Sequence, residues 1–143
     1  MTSQEERNAK TLRKAYAEWY DTKAGRTDMW TSIVADRFTL CSVTDSALKG
    51  LDFCRVYNDR EQFGDYFSAI LKDWEMVYYK VDDLIAQGNR VAAVCDVSWR
   101  YKATGKTIAV KKVDIWKFDE AGRATDFFET FDTATVLAAT QPG

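Results

Sequence analysis

Leu12, Tyr16, Trp19 and Tyr20 recur at helical spacing behind Ser3 and Glu6, a serine and an acid in capping-box register. The pattern predicts a first helix over residues 4–21 with an aromatic buried stripe. "KAGRTD" breaks it, and Met29, Trp30, Ile33 and Val34 mark a short second helix starting near Asp28. "DRFTLCSV" then alternates, with Phe38, Leu40 and Ser42 on one face, as a half-buried strand does. Residues 46–57 read as a loop, with or without a short strand. Asp59 and Gln62 form a second capping pair ahead of Phe63, Phe67, Ile70, Leu71 and Trp74, a clean helical stripe. From Glu75 onward the period changes. Extended runs over 76–86, 90–102, 106–118 and 124–131 are separated by "QGN", "ATG" and "DEAG", turns of the kind that join antiparallel neighbours. Residues 132–139 close the chain as a short capped helix.

This order predicts an α+β fold: a curved antiparallel sheet, shaped as a cone or half-barrel, with the N-terminal helices packed over an apolar cavity. Strands of about a dozen residues exceed the usual length and must twist and curl. Ala93, Cys95, Val97 and Trp99 lie on one side of their strand, and Val113 and Ile115 on one side of the next. A sheet apolar on both faces needs a second cover. The expectation is a homodimer through a face carrying Cys95, Val97, Trp99, Val113 and Ile115.

The 143 residues suit one domain, 1–143, with a single proline at position 142 and no Pro/Gly-rich linker. A formal charge of −2 without a dense Lys/Arg run argues against nucleic acid and acidic lipid as partners. The N-terminus lacks an apolar signal core, and no run is long enough to span a membrane, so the expectation is a soluble, cytoplasmic protein. Three cysteines without C-x-x-C spacing point to reduced, buried thiols. The chain contains no histidine, which removes Ser-His and Cys-His nucleophile pairs and the usual zinc and iron sites. No Gly-rich phosphate loop is present either, so the expectation is chemistry without metal or cofactor.

Proton chemistry is then left to carboxylates, Tyr, Lys, Cys and water. In "KKVDIWKFDEAGR" Asp114 shares a strand face with Lys112 and Trp116, while Val113 and Ile115 point the other way. A pocket on that face would make Asp114 a working group, and water on it would make Asp114 a solubilising residue. Lys111 and Lys112 read most simply as a solvated strand end, so no cation is expected at Asp114's depth.

The element order, with "VDIWKFDEAGRATDFFETFDTATVLAA" at its end, resembles the nuclear transport factor 2-like superfamily, in its SnoaL-like and ketosteroid isomerase-like branch. The resemblance implies a cone with an apolar cavity and a homodimer through the sheet. It also implies that Asp114 occupies the position of an acid donating to a substrate oxyanion, with Tyr16 of "KAYAEWYD" at the partner tyrosine. The base position falls on Ser42, a poor base without histidine; Asp45 would serve only if the strand carried a bulge. Epoxide hydrolase-like members use two carboxylates and an arginine around a water. Asp96 and Glu129 resemble those carboxylates, but the arginine position falls on Val94, leaving Arg100 as a substitute. SnoaL-like cyclases need only an acidic group in the cavity.

The expected ligand is a small hydrophobic, carbonyl-bearing molecule. Trp30, Ser42, Phe63, Phe67, Tyr79, Trp116, Phe127 and Phe131 are the candidate binding residues, and Asp114, Tyr16, Asp96 and Glu129 the candidate catalytic ones. Cofactor-free isomerisation or cyclisation, epoxide-type water activation, and a non-catalytic binding module all remain open. Whether Asp96 shares a face with Asp114 depends on the length of the "ATG" turn.

Overall fold

The computed structural model describes residues 1–45 and 48–143. Helix α1 (Ser3–Asp21) starts one residue before the expected position. Thr2 is its cap, accepting from Glu5 N at 3.2 Å while the Glu5 carboxylate accepts from Thr2 N at 2.8 Å. Its buried stripe, Leu12, Ala15, Tyr16 and Trp19, faces the sheet. A one-turn helix, α2 (Asp28–Thr31), brings Met29 and Trp30 into the core. Strand β1 (Val34–Cys41) follows, and the chain returns through β2 (Tyr57–Asp59). Of the stretch 46–57, Ser46 and Ala47 lie outside the described residues. Asp59 caps α3 (Arg60–Asp73) by accepting from Gln62 N at 2.8 Å.

The rest is the expected meander: β3 (Trp74–Gln87), β4 (Arg90–Tyr101), β5 (Thr107–Phe118) and β6 (Ala124–Phe131), then α4 (Thr133–Ala139) capped by Asp132. Gly88, at φ +60°, opens the two-residue β3–β4 turn, a position an L side chain resists. The strand order is β2-β1-β6-β5-β4-β3. The sheet is not wholly antiparallel, because β1 lies parallel to β6. Pairing between strands so distant in sequence leaves no local signal.

Register shifts in β3 between Met76 and Tyr78 and between Val81 and Asp83 insert one extra residue each. Such bulges bend a strand and deepen its twist, so the long sheet curves without closing. The helices pack on the concave face, α1 against β3 and β4 and α3 against β1 and β2, while α4 lies against β5. The core between them is largely aromatic, as the stacked pair Trp30 and Trp116 illustrates, with centroids 5.3 Å apart.

The expected dimer face does not exist as one surface. Cys95 and Val97 are buried on the concave side, whereas Val113 and Ile115 point to the convex side. Residues directly opposite across β4 and β5 share a face, and the pairs are Cys95 with Lys112 and Val94 with Val113.

Candidate active site

A cavity of about 80 Å³ lies between the concave face and the helices. Its wall is aromatic: Trp30, Phe63, Phe67, Tyr79, Trp116, Phe127 and Phe131 all line it. Tyr16, Asp114 and Glu129 line it too. Ser42 stands behind Glu129 rather than on the wall, with its Oγ 2.7 Å from Oε2. Asp45 lies beyond the end of β1, exposed to solvent.

Asp114 and Glu129 are directly opposite each other on β5 and β6, both essentially inaccessible to water. Between them stands a cation. Lys112 Nζ is 2.8 Å from Asp114 Oδ1 and 3.1 Å from Glu129 Oε1. The reading of Lys112 as a solvated strand end fails here, and with it the expectation that no cation reaches this depth. Strand alternation had already put Lys112 on Asp114's face. What the sequence hid was the second carboxylate, on another strand, that makes the burial of an ammonium tolerable.

Hydrogen-bond directions can be read from groups that only donate. Trp116 Nε1 donates to the Tyr16 hydroxyl at 2.9 Å, and Lys112 Nζ donates to the Tyr79 hydroxyl at 2.9 Å. Each tyrosine proton is then free to go to Asp114 Oδ2, which accepts from Tyr16 at 2.6 Å and from Tyr79 at 2.8 Å. Asp114 is therefore an acceptor in this arrangement. Its Oδ1 is paired with the Lys112 ammonium at 2.8 Å and has no other donor. Glu129 is saturated differently: Oε1 accepts from the Tyr66 hydroxyl at 2.5 Å and Oε2 from Ser42. Tyr66 was not among the sequence candidates, although it sits on the α3 stripe three residues after Phe63.

Burial, and then the charge of Asp114, holds the Tyr16 and Tyr79 hydroxyls well above the ordinary tyrosine range. Burial and Glu129 do the same for Tyr66. All three are O–H donors at neutral pH, not phenolates. Burial works against the Lys112 ammonium, but the charges of Asp114 and Glu129 outweigh it and keep that group well above its usual value. A lysine so held is a cation and not a nucleophile.

Asp96 takes no part in the cavity. Residues 102–106 join β4 to β5 so that Asp96 faces Lys111 and Asp114 faces Ala93, which puts the two acids on opposite sides of the sheet. On the convex side Asp96 pairs with Lys111 at 2.8 Å, and that hydrogen bond lowers its pKa. Val94 and Arg100 share this outer side by strand alternation, so the epoxide hydrolase-like triad is not assembled. Among the described residues no group of three or more acids or cysteines could hold a metal ion, and no helix is long and apolar enough to cross a membrane.

The family model of the SnoaL-like domain matches residues 12–127. The chain belongs to the SnoaL-like family. No curated protein matches it in sequence. Solved structures share its fold at low identity. An NTF2-like protein from Burkholderia thailandensis is 22% identical, with a TM-score of 0.79 over 94% of this chain and 98% of that one. A proposed SnoaL-like polyketide cyclase from Jannaschia is 14% identical, with a TM-score of 0.79 over 99% and 98%. A Catenulispora acidiphila protein of ketosteroid isomerase-like fold, in complex with trimethylamine, is 13% identical, with a TM-score of 0.72 over 91% and 94%. These likenesses show the fold alone, an α+β cone of the NTF2-like kind.

Proposed function

We propose that the protein binds a small hydrophobic, carbonyl-bearing molecule in this cavity and moves a proton on it without a cofactor, as an isomerase or cyclase. The orientation of Asp114 supports this most. Two tyrosines fix Oδ2 and leave Oδ1 to the Lys112 ammonium alone, at the inner end of an aromatic pocket. Burying charged groups costs several kcal/mol per ion, and clusters of this kind concentrate at functional sites. Asp114 then acts as the base rather than as the oxyanion donor. It takes a proton from the carbon beside the carbonyl, the electron pair moves to the oxygen, and the proton returns at a second carbon. Glu129, with both oxygens occupied, keeps the counter-charge for Lys112. The trimethylamine complex of the Catenulispora protein supports a small ligand.

A non-catalytic binding module is the second reading, favoured by one observation: the hydroxyls of Tyr16, Tyr66 and Tyr79 are all satisfied within the protein. Titration of isotope-labelled protein with a small cyclic enone tests the binding that both readings share. Shifts should centre on the amides of Lys112, Asp114 and Trp116. No saturable shift at millimolar ligand, or shifts confined to the convex face, would overturn it.

The homodimer belongs on the convex face. Ile85, Ala92, Ile115 and Phe128 are opposite one another in register across four strands, and Ile85, Ile115 and Phe128 are 54%, 38% and 39% exposed. A second copy of that ribbon is the cover that suits it. The free thiols of Cys54 and Cys95, pushed up to about 12 mainly by burial, suit a reducing cytoplasm.

A further inference from the structure

We infer that Lys112 is the group that receives the ligand's oxygen as that oxygen becomes anionic during the proton transfer. This rests on the proposed site and deepens it by naming the partner of the oxygen.

The first observation is a gradient along the inward face of β5. Val110 is half-buried, the Lys112 side chain keeps 12% of its surface, the Asp114 side chain keeps 2%, and Trp116 keeps 1%. A ligand advancing past Val110 and Phe131 meets Lys112 as the first charged group. The second is the state of the donors. The tyrosine protons are committed to carboxylates, and Trp116 Nε1 is committed to Tyr16. Lys112 Nζ faces three oxygens, the Tyr79 hydroxyl at 2.9 Å, Asp114 Oδ1 at 2.8 Å and Glu129 Oε1 at 3.1 Å, while the indole N–H of Trp30, on the cavity wall, has no partner. An ammonium has three N–H donors, so the one facing Asp114 Oδ1 is released to the ligand's oxygen when Asp114 takes up the proton and becomes neutral, and Lys112, unlike Trp30, brings a charge to it.

The charge balance agrees. The resting cluster holds two carboxylates against one ammonium. When the α-carbon proton passes to Asp114 Oδ1, Asp114 becomes neutral and the enolate oxygen gains the charge that Asp114 lost. The net charge of the pocket does not change, and the new anion lies beside the cation that the old one faced. Donors already in place where charge develops are the economical form of electrostatic catalysis.

Infrared spectroscopy of a bound small cyclic enone, isotope-labelled at its carbonyl, tests this. In the wild type the carbonyl band should fall below its position in apolar solvent. In Lys112→Met it should return there with affinity reduced roughly 10- to 100-fold, and Lys112→Arg should restore part of the shift. Because Lys112→Met leaves two carboxylates facing each other, Lys112→Met combined with Glu129→Gln provides a variant in which one charge of each sign is gone. An unchanged band shift in that double variant would overturn the role of Lys112 while leaving the binding site intact. Absence of any bound enone in the wild type would overturn it together with the reading it rests on.

Discussion

Tyr16 and Asp114, 98 residues apart in sequence, are joined at 2.6 Å by a hydroxyl that donates to the carboxylate while its oxygen accepts from Trp116. Helix α1 is thereby tied to the centre of β5 at the inner end of the cavity. Tyr16→Phe removes this donor and leaves the Trp116 indole N–H unsatisfied. It should destabilise the protein by about 1–3 kcal/mol in urea unfolding. Tyr79→Phe should do likewise, and the double variant should depart from additivity because both donors share Oδ2. Wild-type stability in both single variants would contradict the network.

Alkaline pH tests the same cluster from the other side. Tyr16, Tyr66, Tyr79 and Lys112 all have folded-state pKa values raised above their unfolded ones. A group so shifted holds its proton longer in the folded chain, so its contribution is complete below the unfolded value and is lost as pH rises toward the folded one. Stability should therefore decline from about pH 10 upward. Of the seven tyrosines, these three should ionise only with unfolding. Smooth titration of all seven in the folded protein, followed by ultraviolet absorbance, would exclude the buried arrangement.

Asp96→Ala should leave ligand binding and any activity unchanged, since Asp96 is on the convex face with Lys111. A loss comparable to that of Asp114→Asn would mean that the two acids meet after all.

Ile115→Lys should convert the proposed dimer to monomer in sedimentation at micromolar concentration while the fold persists. Val97→Lys should instead unfold the chain, because Val97 is 2% exposed on the cavity wall. A wild-type monomer at that concentration would remove the dimer from the account.

The legible parts of this chain are those written in local pattern. The bounds of β6 and the cap of α3 at Asp59 follow from alternation and spacing alone. The start of α1 slips by one because Thr2 with Glu5 and Ser3 with Glu6 are equivalent in sequence, and only geometry separates them. The parallel β1–β6 pair, the side taken by Asp96 and the burial of Lys112 were not legible. Each depends on a partner contributed by a distant strand or on the length of one loop. Lysine is rarely buried, and alternation along β5 alone does not reveal that a carboxylate on β6 stands ready to pair with it.

Deuterium uptake at the carbon beside the carbonyl of a small cyclic enone, followed by proton NMR in deuterated water, tests the central claim most directly. The account predicts saturable exchange by the untreated protein, reduced about 10²- to 10⁴-fold in Asp114→Asn and little affected in Asp96→Ala. Exchange no faster than in buffer with free acetate, or equal rates for wild type and Asp114→Asn, would contradict it.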